Sequence, residues 1–306
     1  MRWLTFRTAG GGERVGVLMD ERIHALEPRV RLVDLLERLP GEAERARSSP
    51  AEVFDLEDVT LLAPIPRPPS IRDFYAFEQH AQVARKRRGL EMDPDWYELP
   101  VFYFTNPAAV IGHGADVPVP PGSSSFDYEL EVAAVVGKGG SDLDPATAEE
   151  HIAGFMVMND WSARDLQSRE MKLSLGPAKG KDSATTLGPY LVTPDELEPF
   201  RSGRAYALDM RAEVNGREYS RGSLDDIYWS FGEFLAYASR GTRLVPGDVI
   251  GSGTCGTGCI LELSATHSPE EYPWLRPGDE VVLEVEHLGR LGNRVVEGHP
   301  PKPLRP

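Results

Sequence analysis

The chain has 306 residues, of which 41% are hydrophobic and 26% charged, and it carries a formal net charge of −15. That size suits one large folded domain with a smaller one beside it. The acidic balance argues against nucleic acid or an anionic membrane as a partner, because both repel a negatively charged surface. No apolar run approaches the roughly 20 residues of a membrane span, and the N-terminus lacks the continuous apolar core of a signal peptide. We therefore expect a cytoplasmic protein.

The first 62 residues contain several short elements but no catalytic constellation. Residues 14–18 and 22–26 are strand-like runs separated by a turn, which predicts a hairpin. Residues 33–39 have helical spacing, and Pro40, followed by glycine, predicts that this helix ends there. This segment is therefore predicted to be a small β-containing domain.

A proline-rich segment follows, with the sequence A-P-I-P-R-P-P over residues 63–69. Prolines lack backbone donors and favour a stiff, extended chain, which makes this segment a good domain boundary. We therefore predict a small N-terminal domain over residues 1–62, a linker over residues 63–69 and the main domain over residues 70–306.

The segment after the linker combines a strand with a helix. Asp73 follows the end of a predicted strand, and residues 78–88 have helical character, with Gly89 placed to end the helix. His80 lies in the first turn, where it could act as a proton acceptor. The alternative is a histidine on the helix surface. We also hypothesise that residues 78–90 move as a lid.

Two glutamates mark the centre of the chain. Glu129 and Glu131 accompany an apolar run over residues 132–136, which predicts a strand. Residues i and i+2 of a strand point to the same face, so both carboxylates leave one side together. Like charges beside an apolar run repel each other and lose hydration, and a cation between them would stabilise the arrangement.

A second apolar run, over residues 156–158, ends just before Asp160. The residues from Ala163 onward predict a helix with Ser162 as its N-cap. Asp160 at the end of a strand, facing the two glutamates, would complete a set of three hard oxygen ligands for Mg²⁺, Mn²⁺ or Ca²⁺. The alternative is that these acids are only solvated or paired with basic side chains.

The rest of the chain is divided by turns. Residues 176–189 predict a loop whose two lysines suit anion binding, although a flexible surface loop has the same composition. The later elements are predicted to be a hairpin turning at 215–216, a helix over 230–239, a strand over 260–263 with the lone acid Glu262, and a strand over 280–286. Many short strands and few helices predict a β-rich α+β fold.

Only two cysteines are present, Cys255 and Cys259, so no disulfide framework supports the fold. Four residues apart in a glycine-rich loop, they could pair with each other or bind a soft metal. The chain near them offers no further thiol and no pair of histidines, which argues against a zinc site. A reduced, cytoplasmic protein is the simplest interpretation.

Several of these segments together resemble the catalytic blocks of the fumarylacetoacetate hydrolase superfamily. In chain order they are D-F-Y at 73–75, Q-H-A at 79–81, D-Y-E-L-E at 127–131, M-N-D-W-S-A-R-D-L-Q at 158–167, G-K at 180–181, T-T at 185–186, S-G-T at 252–254, L-E-L at 261–263 and P-G-D at 277–279. The similarity extends over residues 65–300. It implies a mixed β-sheet roll or barrel, usually assembled as a homodimer.

The resemblance also implies the composition of an active site. The metal ligands would be Asp73, Glu129, Glu131 and Asp160, binding Mg²⁺, with Mn²⁺ or Ca²⁺ also accepted. The catalytic side chains would be His80, Glu262 and Lys181. The groups that hold substrate oxygens would be Tyr75, Tyr103, Arg164, Gln167 and Thr254.

These residue types suit hydrolysis of a C–C bond in a 1,3-diketo acid, such as fumarylacetoacetate or an acylpyruvate from aromatic compound catabolism. His80, oriented by Glu262, would aim hydroxide at one carbonyl, and the cation would stabilise the departing enolate. One alternative on the same site is a decarboxylase or isomerase of an oxaloacetate-like or 2-hydroxydienoate substrate. Another is a metal- or ligand-binding protein without turnover. The pairing of His80 with Glu262 favours the hydrolase.

Overall fold

The computed structural model of the protein describes residues 1–174 and 176–305. The strands are β1 (Arg2–Arg7), β2 (Glu13–Met19), β3 (Arg22–Ala25), β4 (Glu52–Asp55), β5 (Thr60–Leu62), β6 (Ile71–Phe74), β7 (Phe102–Thr105), β8 (Val110–Ile111), β9 (Asp116–Pro118), β10 (Phe126–Asp127), β11 (Leu130–Val136), β12 (Ile152–Asp160), β13 (Ser162–Ala163), β14 (Thr185–Val192), β15 (Arg201–Ser202), β16 (Ala205–Tyr206), β17 (Asp209–Val214), β18 (Arg217–Ser223), β19 (Val249–Gly251), β20 (Glu280–Val285) and β21 (Gly289–Val296). The α-helices are α1 (Leu39–Ser48), α2 (Glu78–Arg87), α3 (Arg164–Met171), α4 (Pro194–Leu197), α5 (Phe231–Ala238) and α6 (Ile260–Thr266). Within the described residues, none of the helices has the length and apolar character that a membrane crossing needs.

Twelve strands form one mixed sheet, which confirms the predicted β-rich α+β class. Its main path follows the order β4-β3-β2-β1-β14-β12-β11-β19-β6-β7, while β5 pairs with β1 and β8 with β14. The pairs β14–β8 and β19–β6 are parallel and the other pairs are antiparallel. A second sheet has five strands in the order β18-β17-β20-β21-β9. The large sheet is open over the described residues and does not close into a barrel.

The middle strands of the large sheet, β12, β11, β19 and β6, bury both of their faces. One face, which includes Val132 and Val157, belongs to the core that contains the second sheet and α5. The opposite face, which includes Ala133 and Met156, packs with Trp3 and other apolar residues of the N-terminal segment. The assignment to two cores follows the period-two alternation of side chains along a strand. The middle strands therefore form a wall between two apolar cores.

The N-terminal segment is joined to this wall through the sheet itself. The predicted hairpin is confirmed as β2 and β3, and Asp20 and Glu21 at its turn have φ values of 48° and 63°. Strand β1 pairs with β2 on one side and with β14 on the other, so the sheet continues from the N-terminal segment into the rest of the chain. The division into residues 1–62, 63–69 and 70–306 stays a prediction.

The helix predicted over residues 33–39 is wrong. Short 3₁₀ turns occupy Leu32–Asp34 and Leu36–Arg38, and α1 begins at Leu39, where the pattern predicts an end. Pro40 falls in the first turn of α1, where a missing backbone N–H is tolerated. The proline therefore starts a helix here and does not stop one.

Three other predictions are confirmed. The hairpin of β17 and β18 turns at Asn215 and Gly216, whose φ values of 52° and 76° suit a type I′ turn. Helix α5 follows Ser230, whose hydroxyl accepts from the Glu233 N–H while the Glu233 carboxylate accepts from the Ser230 N–H, a capping box. Helix α2 is followed by Gly89 at a φ of 73°, the left-handed conformation that commonly ends a helix.

Candidate active site

The middle strands of the large sheet bring four carboxylates together. Asp73 lies on β6, Glu131 on β11 and Asp160 at the end of β12, while Glu129 directly precedes β11. The sequence predicts that Asp73 follows the end of its strand, but Asp73 lies inside β6. One oxygen from each carboxylate lies within 4.8 Å of the other three, and all four side chains are buried. The two glutamates and Asp160 lie close together, as predicted, but only Glu131 is inside the strand.

The neighbouring strand leaves room for this cluster. Gly251 of β19 pairs with Asp73 on one side and with Ala133 on the other. A Cβ at Gly251 would lie 2.4 Å from Asp73 Oδ1, far inside van der Waals contact. The backbone N–H of Gly253 donates to that same oxygen at 3.2 Å. The glycine at 251 therefore allows the Asp73 carboxylate to lie across β19.

Burial disfavours the ionised form of three of these carboxylates, Asp73, Glu131 and Asp160. Burial, together with the charge of Asp160, raises the pKa of Asp73 to about 8. Burial and neighbouring carboxylates raise the pKa of Glu131 well above its ordinary value, and burial raises the pKa of Asp160. Glu131 Oε2 and Asp160 Oδ1 are buried and have no hydrogen-bond partner among the described residues. Such orphaned carboxylate oxygens are the donors that a divalent cation such as Mg²⁺, Mn²⁺ or Ca²⁺ takes, so the cluster fits such an ion.

Two basic side chains and a phenol contact the cluster. Lys181 Nζ donates to Asp160 Oδ2 at 2.7 Å and also to Glu129, and Tyr103 donates to Asp160. Arg164 Nη2 donates to Glu129 Oε1 at 2.7 Å. Burial acts to raise the pKa of Glu129, but Lys181 and Arg164 hold it below its ordinary value. Burial acts to lower the pKa of Lys181, but the adjacent carboxylates raise it, so this lysine is a cation at neutral pH.

Lys181 follows a turn that is docked on α3. The Glu170 carboxylate accepts from the three backbone N–H groups of residues 178–180, at 3.1, 2.7 and 3.1 Å. Gly180 lies so close to α3 that a Cβ there would be 2.6 Å from Gln167 Cβ and 2.7 Å from Gln167 Cα. The turn and the helix therefore fix the backbone from which Lys181 reaches the carboxylates.

Two predictions near this turn are corrected by the structure. The loop predicted over residues 176–189 ends at residue 184, because Thr185 begins β14 and pairs with Asp160. Ser162 does not cap α3. It lies in β13 and its hydroxyl donates to the Asp160 carbonyl, while Ala163 occupies the N-cap position without a side-chain hydrogen bond.

A histidine–glutamate pair lies beside the carboxylate cluster. His80 Nδ1 on α2 is 3.1 Å from Glu262 Oε2 on α6, and both side chains are buried. Gln79 donates to the other Glu262 oxygen at 3.4 Å, and the Tyr75 ring meets the imidazole edge-on with centroids 5.7 Å apart. His80 is also among the groups that lower the pKa of Glu129, so the pair and the cluster interact electrostatically. With Nδ1 held by Glu262, Nε2 is the nitrogen left to accept a proton.

Glu262 lies on a helix, and the strand predicted over residues 260–263 is wrong. The Asp127 carboxylate accepts from the first two backbone N–H groups of α6, at 2.8 and 3.0 Å. A carboxylate at this position satisfies orphan donors and complements the helix dipole. The same carboxylate accepts from Arg164 Nε at 2.8 Å. Asp127 therefore positions both the helix that carries Glu262 and the arginine that contacts the cluster.

The other predicted site residues lie in the same network. Thr254 Oγ1 donates to Glu131 Oε1 at 3.2 Å, and Gln167 Oε1 accepts from Arg164 Nη1 at 3.2 Å. The fold thus brings together all of the residues that the sequence proposes for the site, and their individual roles stay predictions.

Three further residues make contacts near the site that sequence reasoning did not identify. Asp127 stands inside a recognisable motif, but nothing local shows that it caps a distant helix. Glu170 looks like an ordinary acid on an exposed helix. Cys259 lies 4.0 Å from His80, a contact that only the fold creates, and neither cysteine forms a disulfide within the described residues.

The β-rich fold and the buried carboxylate cluster beside a histidine–glutamate pair indicate a metal-binding enzyme. The family described as "Fumarylacetoacetate (FAA) hydrolase C-terminal" matches residues 70–296. The chain belongs to the fumarylacetoacetate hydrolase superfamily, as the sequence motifs predict.

Relatives within this family differ in their reactions. A fumarylacetoacetase from Oryza sativa is 32% identical over 284 residues, which cover 74% of this chain and 66% of that protein. The oxaloacetate tautomerase YisK from Bacillus subtilis is 30% identical over 307 residues, which cover 92% of this chain and 95% of that protein. The solved structure of a probable 2-hydroxyhepta-2,4-diene-1,7-dioate isomerase from Mycobacterium abscessus matches with a TM-score of 0.75 and 26% identity, over 98% of this chain and 100% of that one. The chain therefore spans just under two thirds of the rice protein and nearly all of the other two.

Proposed function

We propose that the protein is a divalent-metal-dependent hydrolase that cleaves a C–C bond in a 1,3-diketo acid, such as fumarylacetoacetate or an acylpyruvate. The observation that carries this proposal is the buried His80–Glu262 pair, with 3.1 Å between Nδ1 and Oε2, placed beside four carboxylates. Keto–enol interconversion and decarboxylation use no water, whereas hydrolysis needs a group that takes a proton from it. A histidine oriented by a carboxylate is the usual side-chain arrangement for that task.

Asp73, Glu129, Glu131 and Asp160 would hold the cation. Their all-oxygen chemistry and the orphaned oxygens of Glu131 and Asp160 support a hard ion, and we propose Mg²⁺, with Mn²⁺ or Ca²⁺ as substitutes. When bound, the cation supplies Lewis-acid polarisation of the substrate's carbonyl and carboxylate oxygens.

The chain's own residues then carry the proton transfers. His80 Nε2 takes a proton from water while Glu262 holds Nδ1–H and stabilises the imidazolium. The hydroxide adds to the acyl carbonyl, and the C–C bond to the central methylene carbon breaks, leaving its electron pair on that carbon. Lys181, which is cationic and buried against Glu129 and Asp160, would then give a proton to that carbon, and the proton held by His80 would return to the lysine through water. The products are a carboxylic acid and a shorter keto acid.

The remaining polar groups would orient the substrate. Those we assign to its oxygens are Tyr75, Tyr103, Arg164, Gln167 and Thr254. Arg164 is already held by Asp127 and Glu129, so its guanidinium is pre-organised and loses little freedom when an anion binds.

A second candidate is tautomerisation or decarboxylation of an oxaloacetate-like acid, or isomerisation of a 2-hydroxydienoate. It is favoured by the near full-length match to a relative named as an oxaloacetate tautomerase. These reactions need the metal site and a proton carrier, but no water-activating pair. The two candidates therefore differ in whether the reaction requires Glu262: hydrolysis requires it, and the alternative reactions do not.

The test is a substrate screen on metal-loaded and EDTA-treated protein. It compares acylpyruvates and fumarylacetoacetate with oxaloacetate, and it includes His80→Asn, Glu262→Gln and the exposed control His299→Asn. We expect acid products from the diketo acids, abolished by EDTA and reduced about 10²–10⁴-fold in His80→Asn and Glu262→Gln, the range for loss of a general base. Turnover of oxaloacetate alone, undiminished in Glu262→Gln, would refute the hydrolase and support the second candidate. Turnover of no substrate would favour a binding protein.

The assembly and location of the protein also stay proposals. The family resemblance supports a homodimer, which analytical ultracentrifugation at micromolar protein concentration can test. The cytoplasmic location predicted from the two unpaired cysteines can be tested by cell fractionation.

A further inference from the structure

A second group of metal-ligating side chains lies beside the carboxylate cluster and shares no residue with it. One ring nitrogen of His80, Cys259 Sγ and one Glu262 oxygen lie within 4.8 Å of one another, and all three side chains are buried. Nδ1 is 4.0 Å from Sγ and 3.1 Å from Glu262 Oε2. The sequence argues against a zinc site at the cysteines because the chain near them offers no further thiol and no pair of histidines. The fold brings His80 to Cys259 from 179 positions away.

These separations are close to those between the ligands of a tetrahedral zinc ion. With bonds of about 2.3 Å to sulfur and about 2.0 Å to nitrogen or carboxylate oxygen, tetrahedral angles place sulfur and nitrogen about 3.5 Å apart and nitrogen and oxygen about 3.3 Å apart. The distance from Nδ1 to Sγ would have to shorten by about 0.5 Å, and that from Nδ1 to Oε2 to lengthen by about 0.2 Å, to reach these values. Thiolate and imidazole ligands favour Zn²⁺ over Mg²⁺, which prefers an octahedron of hard oxygens.

We propose that a thiophilic divalent cation, Zn²⁺ foremost, binds His80 Nδ1, Cys259 Sγ and the Glu262 carboxylate and thereby inactivates the histidine–glutamate pair. The inhibitory half of this inference rests on the proposed function, whereas the binding half does not. Nothing in the proposed hydrolysis uses Cys259, so its position against His80 is explained only by packing or by such a site.

The inhibition follows from the tautomer that the cation imposes. Zinc takes the Nδ1 lone pair of His80, so the ring proton resides on Nε2 and the neutral imidazole can no longer accept a proton from water. The Cys259 thiol loses its proton to solvent as the S–Zn bond forms. Glu262 exchanges its hydrogen bond with His80 for a bond to the cation. The four carboxylates are untouched, so excess Mg²⁺ does not relieve the inhibition.

The binding half is tested on Mg²⁺-saturated full-length protein titrated with Cd²⁺, a spectroscopic substitute for Zn²⁺, through its thiolate-to-metal charge-transfer absorption in the ultraviolet. We expect a band that saturates at one cation per chain in wild type and in Cys255→Ser, that is absent in Cys259→Ser and that is at least tenfold weaker in apparent affinity in His80→Ala. Cys255 is the matched control because it is equally buried and four residues away. No band in wild type, or a band that survives in Cys259→Ser, overturns the site. Cys259→Ala and a melting curve for each variant separate loss of the site from loss of the fold.

The inhibitory half is tested with Zn²⁺ and whichever substrate the Mg²⁺-loaded protein turns over. We expect the half-inhibitory Zn²⁺ concentration to rise at least tenfold in Cys259→Ser and to stay at the wild-type value in Cys255→Ser. Equal inhibition of both variants overturns this half. If no substrate is turned over, the proposed function fails, while the Cd²⁺ titration still decides the site.

Discussion

Substituting alanine for Gly180 tests how closely the Lys181 turn is fitted to α3. The substituted Cβ would lie 2.6 Å from Gln167 Cβ and 2.7 Å from Gln167 Cα, whereas ordinary contact begins at 3.4 Å. Gln167 is part of a helix and cannot rotate away from backbone contact. The turn must therefore move by about 0.7 Å relative to α3, and Lys181, the next residue, moves with it.

The size of the effect follows from that displacement. Misplacing a reacting group by about 1 Å lowers rates about 100-fold. For Gly180→Ala we expect kcat/KM to fall by roughly 30- to 100-fold, since Lys181 Nζ shifts away from the 2.7 Å contact with Asp160. Overpacking of this kind also lowers the free energy of unfolding by about 1–3 kcal/mol, which leaves the variant folded at assay temperature.

The assay measures kcat/KM with the substrate identified in the screen, together with thermal melting of the metal-loaded protein. Gly12→Ala is the control, because a Cβ at Gly12 meets nothing within 4 Å and neither property should change. A Gly180→Ala protein that melts near wild type and retains its kcat/KM within threefold would refute the argument that the close approach to α3 positions Lys181.

Further predictions concern the acids around the site, Gly251 beside Asp73, and residues 78–90, which include helix α2. Asp127→Asn leaves buried partners of that carboxylate unpaired, so we expect the free energy of unfolding, measured by urea denaturation, to fall by about 3–5 kcal/mol. Gly251→Ala forces the Asp73 carboxylate away, and we expect Mg²⁺ affinity by calorimetry to fall at least tenfold; unchanged affinity would remove Asp73 from the ligand set. Burial acts to raise the pKa of Glu170, but three backbone N–H groups hold it below 4.5, so ionised Glu170 stabilises the fold above that pH. The difference in melting temperature between wild type and Glu170→Gln should therefore be constant near neutral pH and shrink as the pH falls below 4.5. If residues 78–90 are a lid, oxalate with Mg²⁺ should slow protease cleavage there, and equal cleavage with and without oxalate would exclude it.

Local sequence pattern was sufficient where neighbouring residues decide the structure. The apolar run after Glu131 predicts strand β11, and the i, i+2 spacing predicts that Ala133 and Val135 share its face with Glu131. Asn215–Gly216 specifies its turn in the same way, through backbone conformations that few other residues adopt easily. In these cases the decisive interactions span only a few residues.

Prediction from local sequence failed where a residue far away in the chain determines the secondary structure. The run I-L-E-L at 260–263 is compatible with a strand or a helix, because four apolar-rich residues show no distinct period. Asp127, 133 residues upstream, selects the helix by accepting from its first N–H groups. Helix α6 then turns Glu262 toward His80, which is 182 residues away in the chain. The residues of these two pairs, Asp127 with α6 and Glu262 with His80, are too far apart for a local sequence pattern to relate them. Only the resemblance to a family predicted that His80 and Glu262 act together.

The surroundings of Cys259 were hidden from the sequence for the same physical reason. A metal site is judged from sequence by the spacing of its ligands, and this test suits sites built on one turn or one helix. Cys259 receives its neighbours from α2 and from α6, the helix that it precedes, so only tertiary contact reveals the cluster.

The sheet face beneath the carboxylates links two parts of the chain. Ala133 and Met156 lie on the same face as Glu131, and Trp3 and Val17 belong to the apolar core that covers it. The region matched by the family begins at residue 70, so this cover comes from outside it. The apolar side chains of the N-terminal segment therefore fill the volume below the ligands from outside the matched region. Repacking that segment would alter how firmly the carboxylates hold a cation while every ligand stays the same.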